Sequence, residues 1–471
     1  MNSKTAIKID ADILLVIPIR PGYSGILPDL GLLYLYSALR DHDLSVAILH
    51  CPKEGIVDFA QWDAVLSANR HLKIVGFKSM SHDHNFIKKM AAAVKQYMPD
   101  CVTIAGGPHV TSLPEYVLQD MSPMLDYGFN GEGEIGFPKF CQSILNNKIV
   151  PSLVPGLVWR NGDKVNINAR QVVADLDKLP RIRWEDIDLG SFPKWMSSLP
   201  FIPIMATRGC PFECTYCSAP TIVGRKMRYR SVENVLAELQ HLKKVHGVGN
   251  VTFVDDELTI NRRFFQQLCQ GMIDSKLDLK WEANNGVRLD TLHEDNLELM
   301  YQAGCRYIAV GIESASEEIL EKVKKKISIQ TIREKVALVK RSKVVPQGLF
   351  MIGFPGETEQ QINSTINFAI ELDIDKTNFS IFMPLPGTAS FNDMVAGGYL
   401  DLAAINWDDM KPDRTVFERP GCSSKRLKKL QRKAYWKFYM RPKPLGRLIH
   451  EFGFKSGGLG QLFSKIRSVF G

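Results

Sequence analysis

Three cysteines within eight residues, Cys210, Cys214 and Cys217, constrain this chain more than any other feature, because thiols at C-x3-C-x2-C spacing must converge in one tight loop. Gly209, Pro211 and the charged neighbours make Thr207-Arg208-Gly209-Cys210-Pro211-Phe212-Glu213-Cys214-Thr215-Tyr216-Cys217 a loop, an unsuitable place for three inert buried thiols. Three thiolates so arranged can hold three irons of a [4Fe–4S] cluster and leave the fourth iron open to a substrate or cofactor. A structural zinc knot, the competing reading, usually takes two C-x2-C pairs or a histidine pair, and neither is present here. The apolar run Phe201-Ile202-Pro203-Ile204-Met205 reads as the strand that delivers the loop. The other six cysteines (Cys51, Cys101, Cys141, Cys269, Cys305, Cys422) are scattered singly, so a second cluster is not expected. Unpaired spacing of this kind fits a reducing compartment rather than a disulfide framework.

Strand-like runs alternate with helical segments on both sides of the loop. Before it, strands are expected at 12–17, 44–49, 73–77, 101–105 and 125–129, with helices at 30–40 and 84–98. That order predicts a doubly wound, Rossmann-like sheet with ligand-binding loops at the strands' carboxyl ends, at 18–28, 79–83, 106–109 and 130–134. Gly131, Gly133 and Gly136 spell G-x-G-x-x-G, but Glu132 and Glu134 would repel a pyrophosphate at the helix start, so a dinucleotide site is rejected. Residues 146–195 read as a connector, with a turn at Asn161-Gly162-Asp163 between two short strands.

After the cysteines, strands are expected at 201–205, 250–254, 280–283, 307–310, 347–352 and 378–382, with helices such as 231–246 and 358–372 between them. Six such units predict a partial (β/α)6 barrel, open on one side, with its chemistry at the strands' carboxyl ends. Those ends carry Asp255-Asp256-Glu257, the run to Arg288, Glu313-Ser314, Gly353 and Pro384. Singly each reads equally as a helix cap or a solvated loop. As an ordered series they form a pattern.

The cysteine loop, with Tyr216 as the aromatic of C-x3-C-x-aromatic-C, resembles the cluster loop of the radical SAM superfamily. The resemblance implies that S-adenosylmethionine chelates the open iron through its amino and carboxylate groups. One electron then breaks its S–C5′ bond to give a 5′-deoxyadenosyl radical, with flavodoxin or ferredoxin as electron donor. It also implies cofactor contacts at Tyr216, Asp255, Asp256, Glu257, Arg288, Glu313, Ser314, Gly353 and Pro384. The runs Gly31-Leu32-Leu33-Tyr34-Leu35, Gly106-Gly107-Pro108-His109-Val110-Thr111 and Gly131-Glu132-Gly133-Glu134 are similar to the cobalamin-binding domain that precedes many radical SAM domains. Cobalamin contacts are implied at Leu30, Gly31, Ser79, Gly106, Gly107, Pro108, His109, Gly131, Glu132 and Gly133. The D-x-H-x-x-G run whose histidine ligates cobalt is missing, since Asp83-His84 lacks the spacing and the first loop has no histidine. This implies a cobalt without a histidine ligand, and it equally permits a domain that keeps the fold without the cofactor. His42, His82 and His109 read as surface or packing residues.

The expected domains are a cobalamin-binding-like unit at 1–145, the connector at 146–195, a radical SAM core at 196–400 and a basic helical region at 401–471. The expected function is cobalamin-dependent methylation of an unactivated carbon. The rivals are radical cyclisation, rearrangement or carbon–carbon coupling and, in another class, a cobalamin- or cluster-binding sensor without catalysis. A methylthiotransferase would add a second cysteine trio ahead of the first.

Composition narrows the setting. With 45% apolar and 23% charged residues and no apolar run of membrane-spanning length, the chain reads as cytoplasmic, and Asp10 and Asp12 interrupt any signal-peptide core. The net charge of +8 is local: residues 425–467 carry thirteen Lys or Arg against Glu451 alone, a +12 that leaves about −4 elsewhere. Leu462, Phe463, Ile466, Val469 and Phe470 share one helical face, with Lys465 and Arg467 off it. Two readings stay open: a helix packed over the barrel, or an interfacial helix on the anionic inner face of a membrane, which would make the substrate apolar or lipid-like. No nucleic-acid recognition motif accompanies the basic residues.

Overall fold

The structure, a computed structural model, describes residues 7–21, 27–192, 201–411, 414–418 and 422–446. The first sheet comprises β1 (Ile13–Ile17), β2 (Val46–His50), β3 (Ile74–Lys78), β4 (Val102–Gly106), β5 (Tyr127–Phe129), β6 (Leu157–Asn161) and β7 (Lys164–Ile167), in the order β2-β1-β3-β4-β5-β6-β7. The first five strands are parallel. All five residues of β1 are buried, as a strand covered on both faces requires. The order reverses between β1 and β3, and ligands of doubly wound sheets bind at such a switch point. The helix Leu30–Asp41, which follows β1, is capped by Asp29 through the Leu32 N–H.

The hairpin expected inside the connector belongs to this sheet. β6 pairs antiparallel with β5, setting Tyr127 opposite Trp159, and β7 closes the edge. Apolar Leu157 and Val158 are buried there, and that burial fastens the hairpin to the sheet.

The second sheet holds β8 (Ile202–Ile204), β11 (Asn250–Phe253), β12 (Lys280–Val287), β13 (Cys305–Glu313), β14 (Val345–Ile352) and β15 (Lys376–Ile381). These six strands are all parallel, in the order β15-β14-β13-β12-β11-β8. A short antiparallel ribbon, β9 (Thr207–Arg208) with β10 (Arg228–Tyr229), brackets the cysteine loop. β12 runs four residues beyond its expected end at Ala283. Its register shifts between Ala283 and Val287, a bulge that leaves Asn284 and Asn285 exposed.

The helix Ser424–Tyr439 covers the β15 edge. Tyr439 Oη donates to the Thr377 carbonyl (2.8 Å) and accepts from the Thr377 N–H (3.2 Å), and Tyr435 Oη accepts from the Phe379 N–H (3.2 Å). Side chains thus satisfy backbone groups that an open edge would present to other strands. The stripe from Leu462 to Phe470 lies outside the described residues. Among those described, no helix is long and apolar enough to cross a membrane.

The two sheets share packing. Leu33 and Tyr34 from the first half and Trp184 from the intervening segment are buried in the same apolar cluster as the barrel strands.

Candidate functional site

β8 leads into β9 and then to Gly209, whose φ is +110°. A Cβ there would lie 2.4 Å from the Lys226 carbonyl oxygen, so only glycine fits. Backbone hydrogen bonds close the loop: Cys210 N–H to Gly224 O (3.1 Å), Thr215 N–H to Val323 O (3.0 Å) and Cys217 N–H to Cys214 O (3.1 Å). Cys210, Cys214 and Cys217 are half-buried, whereas the other six cysteines are fully buried. Burial raises the Cys210 thiol above its ordinary value and pushes Cys217 up to about 11, with neighbouring thiol and Asp256 charges adding to the effect. Thiols that resist ionisation alone become thiolates when a cation binds, which couples metal uptake to proton release. Three soft sulfur donors on one clasped loop fit an iron–sulfur cluster with one open iron.

The strand-end residues divide into two groups. Asp255 accepts hydrogen bonds from the Ala206 and Thr207 N–H groups and from the Thr207 hydroxyl (2.7 Å), so it braces the base of the loop. Glu257 accepts from Thr259 and from the Arg288 N–H (3.3 Å). Ser314 Oγ lies 3.3 Å from Thr365 Oγ1, and the Gly353 N–H donates to Glu357 (2.6 Å). Asp255, Glu257 and Ser314, expected to meet the cofactor, therefore have their polar atoms committed to the protein. Pro384 is buried after β15.

The second group is only partly engaged by the protein. Asp256 has no protein hydrogen-bond partner among the described residues, and burial raises its carboxyl to about 6. Arg288 pairs with Asp290 (2.9 and 2.8 Å) and stacks on Phe212 at 3.8 Å, yet its Nη1 is buried without a partner among the described residues. Glu313, at φ +65°, forms an ion pair with buried Lys325 (2.9 Å), whose Nζ also lies 3.4 Å from Tyr216 Oη. Burial, then the Glu313 charge, holds the Tyr216 phenol neutral.

A cavity of about 300 Å³ opens where the two halves meet. From the first half it is lined by Leu30, Gly31, Gly106, Gly107, Pro108, Gly131, Glu132 and Gly133, all expected. From the barrel it is lined by Met205, Arg208, Ile222, Val223 and Val254. Two expected residues do not line it. Ser79 lies beneath Gly107, where its N–H donates to the Gly106 carbonyl (2.7 Å). His109 is turned inward by the short helix Pro108–Ser112; its Nε2 meets His84 Nδ1 (2.9 Å), its Nδ1 meets Ser81 Oγ (3.1 Å), and its ring packs on Trp407. Apolar walls at a switch point, glycine edges and the buried Glu134 Oε2, unpartnered among the described residues, suit a broad macrocycle with amide donors on its rim. No histidine is among the described residues lining the cavity.

Charge binds the two halves at this place. Glu132 takes a bidentate pair from Arg228 (2.6 and 2.9 Å) and lies 3.2 Å from Arg208, which also reaches Glu134 (2.6 Å). All four side chains are less than a tenth exposed. Arg208 precedes the first cysteine by two residues, so the Gly131–Glu134 loop is tied directly to the cysteine loop. Sequence reasoning missed Arg208, Arg228 and Lys325. The available signal was Glu132 and Glu134 themselves, since carboxylates in a glycine loop of a buried region need cationic partners.

Residues 204–369 match the model of the radical SAM superfamily, and residues 22–140 match the B12 binding domain. An uncharacterized methyltransferase of Pyrococcus horikoshii is 31% identical over 428 residues, which cover 90% of each chain. A hopanoid C-3 methylase of Methylococcus capsulatus is 24% identical over 64% of this chain and 57% of its own length. The solved structure of TsrM, a radical S-adenosylmethionine methyltransferase from Kitasatospora setae with cobalamin and a [4Fe–4S] cluster bound, superposes with a TM-score of 0.67. It is 17% identical and covers 82% of this chain and 75% of that one, a likeness of fold. With both domain matches in order and the archaeal relative spanning nearly the whole chain, this protein belongs to the cobalamin-dependent radical S-adenosylmethionine methyltransferase family, whose cofactors are a [4Fe–4S] cluster, S-adenosylmethionine and cobalamin.

Proposed function

We propose that this enzyme methylates an unactivated carbon of an apolar, lipid-like substrate at the junction of its two halves. The observation that carries this reading is the ionic tie of Glu132 and Glu134 to Arg208 and Arg228, which sets the glycine-lined cavity against the cysteine loop. Cys210, Cys214 and Cys217 would hold the cluster. Asp256 would receive the ammonium of S-adenosylmethionine and the free Nη1 of Arg288 its carboxylate; Glu313 and Lys325 would fix Tyr216 behind the loop. The cavity would hold cobalamin, and its unit would extend through the hairpin to Ile167. When bound, the cluster supplies the electron for S-adenosylmethionine cleavage and cobalamin supplies the methyl group. The chain's own residues orient the two cofactors and, through the buried ion pairs, keep bulk water from between them.

An external flavodoxin or ferredoxin would deliver electrons. The apolar substrate class rests on the basic tail and on the hopanoid methylase among the relatives. The basic tail would then meet an anionic membrane surface at the inner face. Anaerobic enzyme loaded with cluster and cobalamin, supplied with trideuteromethyl S-adenosylmethionine and membrane lipid extract, should form 5′-deoxyadenosine and a lipid heavier by a labelled methyl group. A Cys214→Ala control should do neither. Label confined to a water-soluble metabolite would remove the lipid assignment, and 5′-deoxyadenosine without label in any product would move the function to radical rearrangement.

A further inference from the structure

Two buried imidazole nitrogens, Nε2 of His241 and Nε2 of His246, have no hydrogen-bond partner among the described residues. Both side chains belong to the helix Val232–His246, whose last turn precedes β11 and so lies at the amino ends of the barrel strands, opposite the cysteine loop. Glu185, from the segment entering the barrel, completes a group whose ligand atoms all lie within 4.8 Å of one another. Glu185 Oε1 stands 2.9 Å from His241 Nε2, yet off the line a hydrogen bond requires. The two rings meet edge to face with centroids 5.3 Å apart. Neighbouring ligands of a tetrahedral ion with bonds of about 2.0–2.1 Å stand roughly 3.3 Å apart, close to the Glu185–His241 separation.

The Glu185 side chain is about half exposed (54%), and its position in the chain is fixed through its neighbour. Trp184, its chain neighbour, is buried and its indole N–H donates to Glu238 Oε1 (2.9 Å), one turn before His241; Arg230 bonds the other Glu238 oxygen (2.5 Å). Arg181 is the opposing charge near Glu185. Buried polar atoms without partners ordinarily mark a water or an ion, and two imidazoles with one carboxylate exclude the oxygen-seeking magnesium and calcium.

We propose that Glu185, His241 and His246 bind a divalent transition metal of the zinc type, leaving one position to water and clipping the segment at Trp184 to the helix Val232–His246. The ion would act on structure, remote from the radical chemistry.

Cluster-loaded enzyme exposed to zinc and desalted anaerobically should retain about one zinc per chain beside its iron. The H241A/H246A variant should keep less than about a tenth of that zinc with its iron unchanged, and Glu185→Gln should bind zinc at least about tenfold more weakly. Should the double variant lose its iron as well, zinc-edge X-ray absorption on the unmodified enzyme decides, and it should show imidazole nitrogen and oxygen neighbours alone. Sulfur neighbours would place the zinc on the cysteine loop and overturn the proposal. Zinc content equal in wild type and variants, or none retained by the wild type, would overturn it too.

Discussion

His109 sits between His84, Ser81 and Trp407, where burial, followed by the nearby His84 and His82 charges, lowers its imidazole to about 3. The unfolded chain takes up a proton near the ordinary value of 6.5 while the folded chain refuses it until about 3, so stability is lost as pH falls through that window. At pH 5 this residue should cost about 2 kcal/mol relative to neutral pH. Denaturant unfolding from pH 7 to 5 should therefore show a flatter stability profile for His109→Gln than for wild type. Cobalamin affinity should be unaffected, since the side chain does not line the cavity. A lost affinity with an unchanged profile would return His109 to the cofactor site.

Among the elements, the helix Ser424–Tyr439 shows how an aromatic hydroxyl can finish a sheet. Tyr435 and Tyr439 bond the backbone of β15 at Phe379 and Thr377, where the barrel opens. Replacing either by Phe should cost about 1–2 kcal/mol, since each hydroxyl makes two such bonds. The double variant should also self-associate, because it returns unpaired N–H groups to an edge strand. Thermal unfolding and light scattering on the two singles and the double check both points; a double variant that melts like wild type and stays monomeric would leave the edge protected by packing alone. The cysteine loop shows the converse, an element set by chemistry. Its glycine turn and backbone clasps place three thiols on one short, closed loop.

At the scale of the whole molecule, the two sheets meet through a shared apolar cluster and four buried charges. Removing one partner of a buried pair leaves its opposite uncompensated, so Arg228→Ala should cost about 3–5 kcal/mol and loosen the junction. The double variant Glu132→Leu with Arg228→Met should recover much of that loss in denaturant unfolding while methyl transfer stays slow; full activity would show that the pair does not align the halves. With no histidine among the described residues of the cavity wall, bound cob(II)alamin should show no hyperfine splitting from a protein nitrogen in electron paramagnetic resonance. A nitrogen triplet from an imidazole would contradict that assignment.

What could be read along the chain was whatever short windows encode. The thiol trio, the alternation of strand and helix in both halves and the glycine loops at strand ends each depend on neighbours within a few residues, where backbone geometry and side-chain chemistry act directly. The helix caps at Asp29 and Ser231 act over the same short range, their side chains accepting from N–H groups three positions on. Which way a residue turns as it leaves a strand depended on the packing around it. Asp255 and Asp256 are adjacent and chemically alike, yet one braces Thr207 and the other is left open. The hairpin at 157–167 joined the first sheet because β5 offered an edge and apolar cover. The pairing of Glu132 with Arg228 joins positions 96 residues apart. Local spacing carries no information about such contacts, because two buried charges find each other only after both sheets have formed and desolvation makes every other arrangement costlier.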